Sequence, residues 1–339
     1  MKCSVAIRSL NEADRLRLTL TSLACQSVMA DVVVVDDGSS DHTQSVVNEF
    51  QGRLPLQSIA HPKPQGRSAA SNVGAVAARG DIVIFLDGDT LAHPRLVEHH
   101  LAAHRKQPGL LGRGETHNLR CTRFLQDPET ATPRPEEAGR VNAMSEGEKA
   151  RLKVTQNQIE QDFSSIEKRA APGVYPGAGP RKLYELEIDA LKNHRDSAVL
   201  WAASSGANFS APRDTFLAAG GFDEDMHQNE HRECALRLCQ EGAQMGLVEG
   251  ARTYHMTHQS GWRDPLTEVG WERLFYARHP ILAVKLLCVF WASISDNSPV
   301  PPEARIHSLP ELEDRARGLD GIDYDAVRSA IPGIAPLVG

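Results

Sequence analysis

Short unbroken apolar runs alternate with helical spacings over the first 112 residues. Cys3 to Ser9 reads as a strand, and Leu16, Leu20 and Leu23 share one face of a helix over Asn11 to Cys25. The run Asp31 to Val35 holds four consecutive valines without polar alternation, which predicts a strand buried on both faces of a parallel sheet. It ends in Asp36-Asp37-Gly38-Ser39-Ser40-Asp41, where Gly and Ser turn the chain and Asp41 caps the next helix. A third strand is predicted over Leu56 to Ala60, an Ala-rich helix over Gly66 to Arg79, and another buried strand over Asp81 to Leu86, ending at Asp87-Gly88-Asp89. Repeated strand-helix units with carboxylates at strand ends describe an open α/β sheet whose ligand site lies at its carboxyl edge. The acidic clusters are therefore expected to converge.

The pattern changes after residue 112. Arg123 to Arg140 reads as a charged, Pro-flanked loop, and Ser145 to Arg169 as one polar helix opened by a Ser145-x-x-Glu148 capping box. Ala171 to Arg181 is Gly/Pro-rich and predicts a mobile loop. Alternation returns from Val199 to Arg252, Ile281 to Ile294 predicts a buried helix, and a Pro-punctuated charged tail follows Pro299. That apolar stretch is interrupted by Lys285 and falls short of the roughly 20 residues a bilayer needs.

Composition narrows the class. With 339 residues, 41% hydrophobic and 24% charged, the chain can bury a large core and is not a disordered or fibrous sequence. A formal charge of −7 is the wrong sign for a nucleic-acid grip, so no nucleic-acid partner is expected. Six cysteines without a C-x-x-C pair, and no signal-peptide pattern, predict free thiols in the cytoplasm, with only peripheral contact to a membrane left open.

Asp87-x-Asp89 after a buried strand reads either as a solvated turn or as oxygen ligands for a hard divalent cation, Mg²⁺ or Mn²⁺. Its surroundings favour the cation. The ordered series Leu10-Asn11-Glu12, Val34-Val35-Asp36-Asp37-Gly38-Ser39-x-Asp41, Gly66-x-x-x-Ala70-x-Asn72-x-Gly74 and Gly80-Asp81-Ile82-Val83-Ile84-Phe85-Leu86-Asp87-Gly88-Asp89 resembles the nucleotide-binding half of family 2 glycosyltransferases with the GT-A fold. Ser205-Gly206-Ala207-Asn208 and Gly220-Gly221-Phe222-Asp223-Glu224 resemble the acceptor half of that family.

The resemblance implies a mixed, mostly parallel, Rossmann-like sheet flanked by helices, with a helical and loop insert and a C-terminal helical extension. Residues 1–112 would form the nucleotide-sugar half, 113–198 the insert, 199–262 the acceptor and metal half, and 263–339 the extension. It implies donor binding by Asn11, Glu12, Asp36 or Asp37, Arg67 and Asp87, with the uracil of a UDP-sugar held by Asp37 or its neighbour Asp36. Asp89 would bind the cation, with His255 as first and His258 as second choice for an imidazole ligand. Gly206 and Asn208 would shape the acceptor and sugar pocket, where Trp201 stacks on a sugar ring or else sits in the core.

The chain departs from the family where the catalytic base is expected. The stretch Asn229-Glu230-His231-Arg232-Glu233 places Glu230 on the family's Glu and His231 on its Asp, so His231 or Glu230 is the candidate base, the alternative being an acceptor such as a thiol or an already ionised group that needs little base help. An imidazole with an ordinary pKa of about 6.5 suits that work. The expected reaction is metal-dependent, inverting transfer of a sugar to a hydroxyl of a saccharide, natural product or peptide. The rivals are a sugar-nucleotide-binding protein that lost turnover, motivated by His231, and a nucleotidyltransferase, which the absence of a Gly-rich phosphate loop after the first strand disfavours.

Overall fold

The computed structural model describes residues 1–173, 183–258, 270–295, 297–334 and 337. The first segment runs β1 (Cys3–Ser9), α1 (Ala13–Ala24), β2 (Asp31–Asp36), α2 (Thr43–Phe50), β3 (Leu56–Ala60), α3 (Arg67–Ala77), β4 (Ile82–Asp87), β5 (Thr90–Ala92), α4 (Leu96–Lys106) and β6 (Leu110–Leu119). The valines of β2 divide as a doubly covered strand requires. Val32 and Val34 pack with Leu16 and Leu20 of α1, while Val33 and Val35 pack with Ala70 of α3. In β4, Ile82, Ile84 and Leu86 join the first face and Val83 and Phe85 the other. Asp41 serves two helix starts, accepting the Thr43 backbone N–H of α2 and that of Ala13 in α1.

The insert is more structured than its composition predicts. Arg123 to Arg140, expected as a loop, contains the small hairpin of β7 (Leu125–Asp127) and β8 (Thr132–Pro133) and the start of α5 (Ala138–Asn142). The single helix expected over Ser145 to Arg169 is instead α6 (Glu146–Leu152), α7 (Gln156–Gln161) and α8 (Phe163–Glu167). Lys153 turns extended and Thr155 starts a new capping box, which lets Val154, Ile159 and Ile166 all reach one apolar cluster with Leu18 and Tyr254. In one straight helix Ile159 and Ile166 would share a face while Val154 pointed roughly 130° away from them. The strand β9 (Ala171–Pro172) follows, and residues 174–181 of the expected mobile loop lie outside the described residues.

The remaining elements are α9 (Leu183–Asn193), β10 (Phe209–Pro212), α10 (Arg213–Ala218), α11 (Glu230–Gln240), β11 (Gln244–Met256), α12 (Trp271–Arg278), α13 (Leu282–Ser293), α14 (Leu309–Arg315) and α15 (Tyr324–Ser329). The main sheet has the order β3-β2-β1-β4-β10-β6-β11-β5, with β9 added on β6. Strands β1 to β4 pair parallel, as do β6 and β11, whereas β10 runs antiparallel to β4 and β6, and β5 antiparallel to β11. This is the mixed, mostly parallel sheet expected from the sequence. The helix α13 is buried as predicted, and the charged tail folds back on it, with Ile306, Leu309, Leu312, Tyr324 and Val327 in the same core. No helix among the described residues is long and apolar enough to cross a membrane.

A buried polar chain ties α4 to β10 under the cleft. The Asn208 amide NH₂ donates to the Ala251 carbonyl at 2.8 Å, so its Oδ1 accepts from His100 Nε2, also at 2.8 Å. His100 Nδ1 then accepts from Ser210 Oγ, which accepts from His104 Nε2. Each proton has one place and both imidazoles are neutral. Burial pushes His100 down to about 3 and His104 to about 4. Because their unfolded value is near 6.5, the stabilisation is complete above that pH and is lost as pH falls toward 4. In chemical denaturation, stability should fall between pH 6.5 and 4.5, and His104→Gln should flatten that slope; an unchanged slope would refute the neutral network.

Candidate active site

The carboxyl ends of β1, β2 and β4 bring the acidic segments to one edge, as the sequence leads one to expect. Beyond Asp87 the chain makes a tight turn at Gly88, where a Cβ would lie 2.5 Å from Glu12 Oε1 and 2.9 Å from Ser9 Oγ. A side chain there would displace either group. The antiparallel pairing of β5 and β11 sets His255 beside Thr90, and the Met256 backbone N–H donates to the Asp89 carbonyl at 2.9 Å. Those backbone bonds carry the end of β11 onto the Asp-Gly-Asp turn.

The result is a three-residue cluster. His255 Nε2 and His258 Nε2 lie 3.2 and 2.7 Å from Asp89 Oδ2, and one donor atom from each residue falls within 4.8 Å of the others. Asn118 Oδ1 sits 3.2 Å from His255 Nδ1 and orients the ring. Burial opposes ionisation of Asp89, but the two imidazoles hold its carboxyl well below the usual range. One carboxylate and two imidazoles fit a borderline divalent ion such as Mn²⁺ better than Mg²⁺, which prefers oxygen alone. Glu12 is half-buried beside this cluster, and partial loss of hydration followed by the charges of Asp89 and Asp87 pushes its carboxyl up.

A cleft of about 470 Å³ starts at Asp89, His255 and His258 and runs past Asp87, Arg8 and Arg67 to Gly206, Glu230 and His231. Arg8 Nε donates to Asp87 Oδ1 at 2.6 Å, and its Nη1 lies 3.4 Å from Glu230 Oε1. Asn229, at φ +63°, opens α11 and turns Glu230 and His231 toward the cleft. His231 Nε2 lies 2.9 Å from Arg232 Nη1. A guanidinium has only donors, so this nitrogen accepts and the proton of the neutral ring sits on Nδ1, 3.9 Å from Glu230 Oε2. Burial drives His231 down to about 4, so the ring is neutral near pH 7. Burial opposes the charge on Glu230, yet His231, Arg67 and Arg8 together hold its carboxyl well below the usual range.

The other predicted residues separate. Gly206 lines the cleft, and a Cβ there would approach His231 Nδ1 at 3.3 Å. Trp201 does not: it is 1% exposed, packed edge-on against Phe275 in the core. Asn208 is fully buried in the polar chain beneath the cleft and does not line it. Asp37 and Asp36 lie outside the cleft at the β2 edge. Asp37 accepts the Gln65 and Gly66 backbone N–H groups and faces His61 Nδ1 at 2.7 Å, while Asp36 accepts the Ser39 N–H. Asn11, at φ +54°, accepts the Ser40 N–H in the same loop pair.

Among the cleft residues that escaped the sequence reading are Arg8, Arg113 and Glu187. Arg8 and Arg113 sit inside apolar strands, and a charge in a doubly buried strand is the signal that marks them. Glu187 looks like an exposed helix position until its two arginine partners are seen.

Residues 4–140 match the family model described as glycosyl transferase family 2. The chain is 28% identical over 338 residues to the validoxylamine A glucosyltransferase of Streptomyces hygroscopicus subsp. jinggangensis, covering 96% of this chain and 71% of that protein. It is 38% identical over 113 residues to an uncharacterized glycosyltransferase of Bacillus subtilis, covering 33% of this chain and 29% of that one. The chain thus spans under a third of one curated relative and about seven tenths of another. Among solved structures it is similar to S. aureus TarS 1-349 in complex with UDP-GlcNAc, with a TM-score of 0.52, 17% identity and coverage of 87% and 70%. It is also similar to the mannosyltransferase PcManGT from Pyrobaculum calidifontis in complex with GDP-Man and Mn²⁺, with a TM-score of 0.50, 16% identity and coverage of 99% and 73%.

In histidine-labelled protein, NMR should find His231 as the Nδ1–H tautomer from pH 6 to 8, with a titration midpoint near 4. An Nε2–H tautomer, or a midpoint above 6, would break the hydrogen-bond assignment.

Proposed function

We propose that the chain, whose residues 4–140 match the glycosyl transferase family 2 model and whose fold is similar to that of GT-A glycosyltransferases, catalyses inverting, cation-dependent transfer of a sugar from a nucleotide-sugar, most simply a UDP-sugar, to an acceptor hydroxyl. The observation that carries this reading is that the Asp89–His255–His258 cluster and Glu230 face one cleft. The DxD role of Asp87 and Asp89 belongs to the same proposal. Asp89, His255 and His258 would hold the divalent cation, which when bound neutralises charge on the departing diphosphate. Asp36 is the better placed of the two acids for the base of the nucleotide, because both oxygens of Asp37 already accept loop hydrogen bonds.

The polar lining fits a hydroxyl-rich ligand. Among the described residues, the buried polar atoms without a partner gather on cleft-lining residues: Thr116, His117, Ser204, Gln228, Asn229 and Thr257 each contribute one. Leaving such a group unpaired costs about 1–3 kcal/mol, and sugar hydroxyls would satisfy them as both donors and acceptors.

We assign the base to Glu230. The lone pair of His231 Nε2 is already taken by Arg232, and its other nitrogen carries the proton. Glu230 stays ionised, with Arg8 holding one oxygen in place. As the acceptor oxygen bonds to the anomeric carbon, the bond from that carbon to the diphosphate oxygen breaks. The hydroxyl proton passes to Glu230, and the nucleotide diphosphate leaves. A carboxylate in that position supports turnover rather than mere binding of the donor. The cytoplasmic setting and the division into a nucleotide half, an insert, an acceptor half and an extension remain part of this proposal.

Nucleotide release should be followed with UDP-glucose, UDP-GlcNAc and GDP-mannose, with Mn²⁺ and a panel of hydroxyl acceptors. Glu230→Gln should lower kcat by about 10²- to 10⁴-fold while UDP affinity stays within about threefold, and His231→Gln should cost less than about tenfold. The reverse ranking would move the base to His231. Asp89→Ala should lose Mn²⁺-dependent UDP binding in calorimetry; tight Mn²⁺-dependent binding in that variant would sink the cation assignment.

A further inference from the structure

The inner end of the cleft holds a charge that the transfer chemistry above does not use. Arg113 lies mid-strand in β6, between Phe209 of β10 and Leu247 of β11, with its side chain on the cleft lining and only 2% exposed. Its Nη2 donates to Glu187 Oε2 at 2.6 Å, and Glu187 Oε1 accepts from Arg232 Nη2 at 2.7 Å. Two guanidinium groups therefore share one carboxylate, which leaves one net positive charge in a buried site. Arg232 is otherwise satisfied, by the Ala202 carbonyl, Asn229 Oδ1 and His231 Nε2. Arg113 is not: among the described residues its Nε and Nη1 are buried without a partner.

The other cleft carboxylates cannot supply that partner. Asp87 and Glu230 face Arg8, and Asp89 faces the two histidines. Apolar walls strengthen the field, since the Tyr184 ring lies 5.3 Å from the Arg113 guanidinium and the Trp291 ring 5.1 Å from that of Arg232. Neutral hydroxyls would satisfy the hydrogen bonds of Arg113 but not its charge. Thr116 Oγ1 and Ser204 Oγ, both unpartnered on the same lining, add neutral donors.

We propose that Arg113, fixed by Glu187, is a specificity residue that binds an anionic group, a carboxylate or phosphate monoester, on the saccharide that enters the cleft. The planar fork of an arginine held on one side by a carboxylate is preorganised for such a group on the other. The group is carried either by the donated sugar or by the acceptor. The inference rests on the cleft being the sugar-transfer site, and its test is separable from that reading.

Calorimetry on the wild-type protein would compare UDP-glucuronate with UDP-glucose in Mn²⁺, and glucuronate and glucose 6-phosphate with glucose, each with and without UDP and Mn²⁺. At least one acidic probe should bind about tenfold or more tightly than its neutral counterpart, which corresponds to about 1.4 kcal/mol. An advantage in the nucleotide-sugar pair places the anion on the donor, and one in the free-sugar pairs places it on the acceptor. Arg113→Met should abolish the advantage with UDP affinity unchanged, and Arg113→Lys should keep part of it. Equal binding of acidic and neutral probes in every pair overturns the proposal, as does an advantage that survives Arg113→Met. Should Arg113→Met not fold, the wild-type comparison and Arg113→Lys decide. Failure of UDP itself to bind would count against the sugar-nucleotide reading, while the free-sugar pairs would still decide the anion site.

Discussion

The contact on which the site depends is the bridge that Arg8 makes between Asp87 and Glu230. These carboxylates come from chain segments 143 positions apart, one at the end of β4 and one at the start of α11. Both are largely shielded from water, and Glu12 and Asp89 add further acid close by. Gathered without a cation, such groups would repel or take up protons. Arg8 stands in β1 directly opposite Asp87 in the parallel register, so the sheet pairing itself delivers the compensating charge. Burial disfavours the charged guanidinium, but the two carboxylates outweigh it and keep Arg8 protonated. The Asp87 side and the Glu230 side of the cleft are thus fixed to each other by an ion pair whose geometry is set by backbone hydrogen bonds.

The same logic separates what sequence pattern reveals from what it hides. The strands β2 and β4 were legible because unbroken valine and isoleucine runs have few structural alternatives, and the Asp87-Gly88-Asp89 turn was legible because it ends one of them. The break in the insert at Lys153 and Thr155 was not, since the three apolar residues that it serves lie at spacings of five and seven and find their cluster only in three dimensions. Trp201 had two readings in one dimension, and its packing against Phe275 decides for the core. Asn208 was expected in the pocket because the Ser205-Gly206-Ala207-Asn208 stretch resembles the family's acceptor half, yet with φ at +68° its side chain joins the histidine chain beneath.

The base assignment shows how one neighbour can reverse a reading made from residue type alone. In isolation, histidine is the better base near neutral pH and glutamate the weaker one. Arg232 reverses that ranking because a group with donors only forces the adjacent ring nitrogen to accept. The buried ring then has its proton on the wrong atom to take another, whatever its basicity. Glu230 pays for its charge in basicity, but it is the group with an oxygen that faces the cleft, and position precedes pKa in general-base work.

Arg232 also links that choice to the inner end of the cleft. Its four donor contacts reach Ala202, Asn229, His231 and Glu187, so the helix start carrying Glu230 and the carboxylate holding Arg113 share one guanidinium. Gly112 and Gly114, on either side of Arg113 in β6, leave room on the opposite face for the buried polar chain; a Cβ on the first would press on Ser210 and Val248, and one on the second on Asn208. A strand that buries one arginine and leaves two of its nitrogens unpartnered among the described residues carries a cost in stability. Within the fold that cost has no structural return, because Glu187 would already be neutralised by Arg232 alone. The return has to come from whatever binds there, and the charge of Arg113 states its sign.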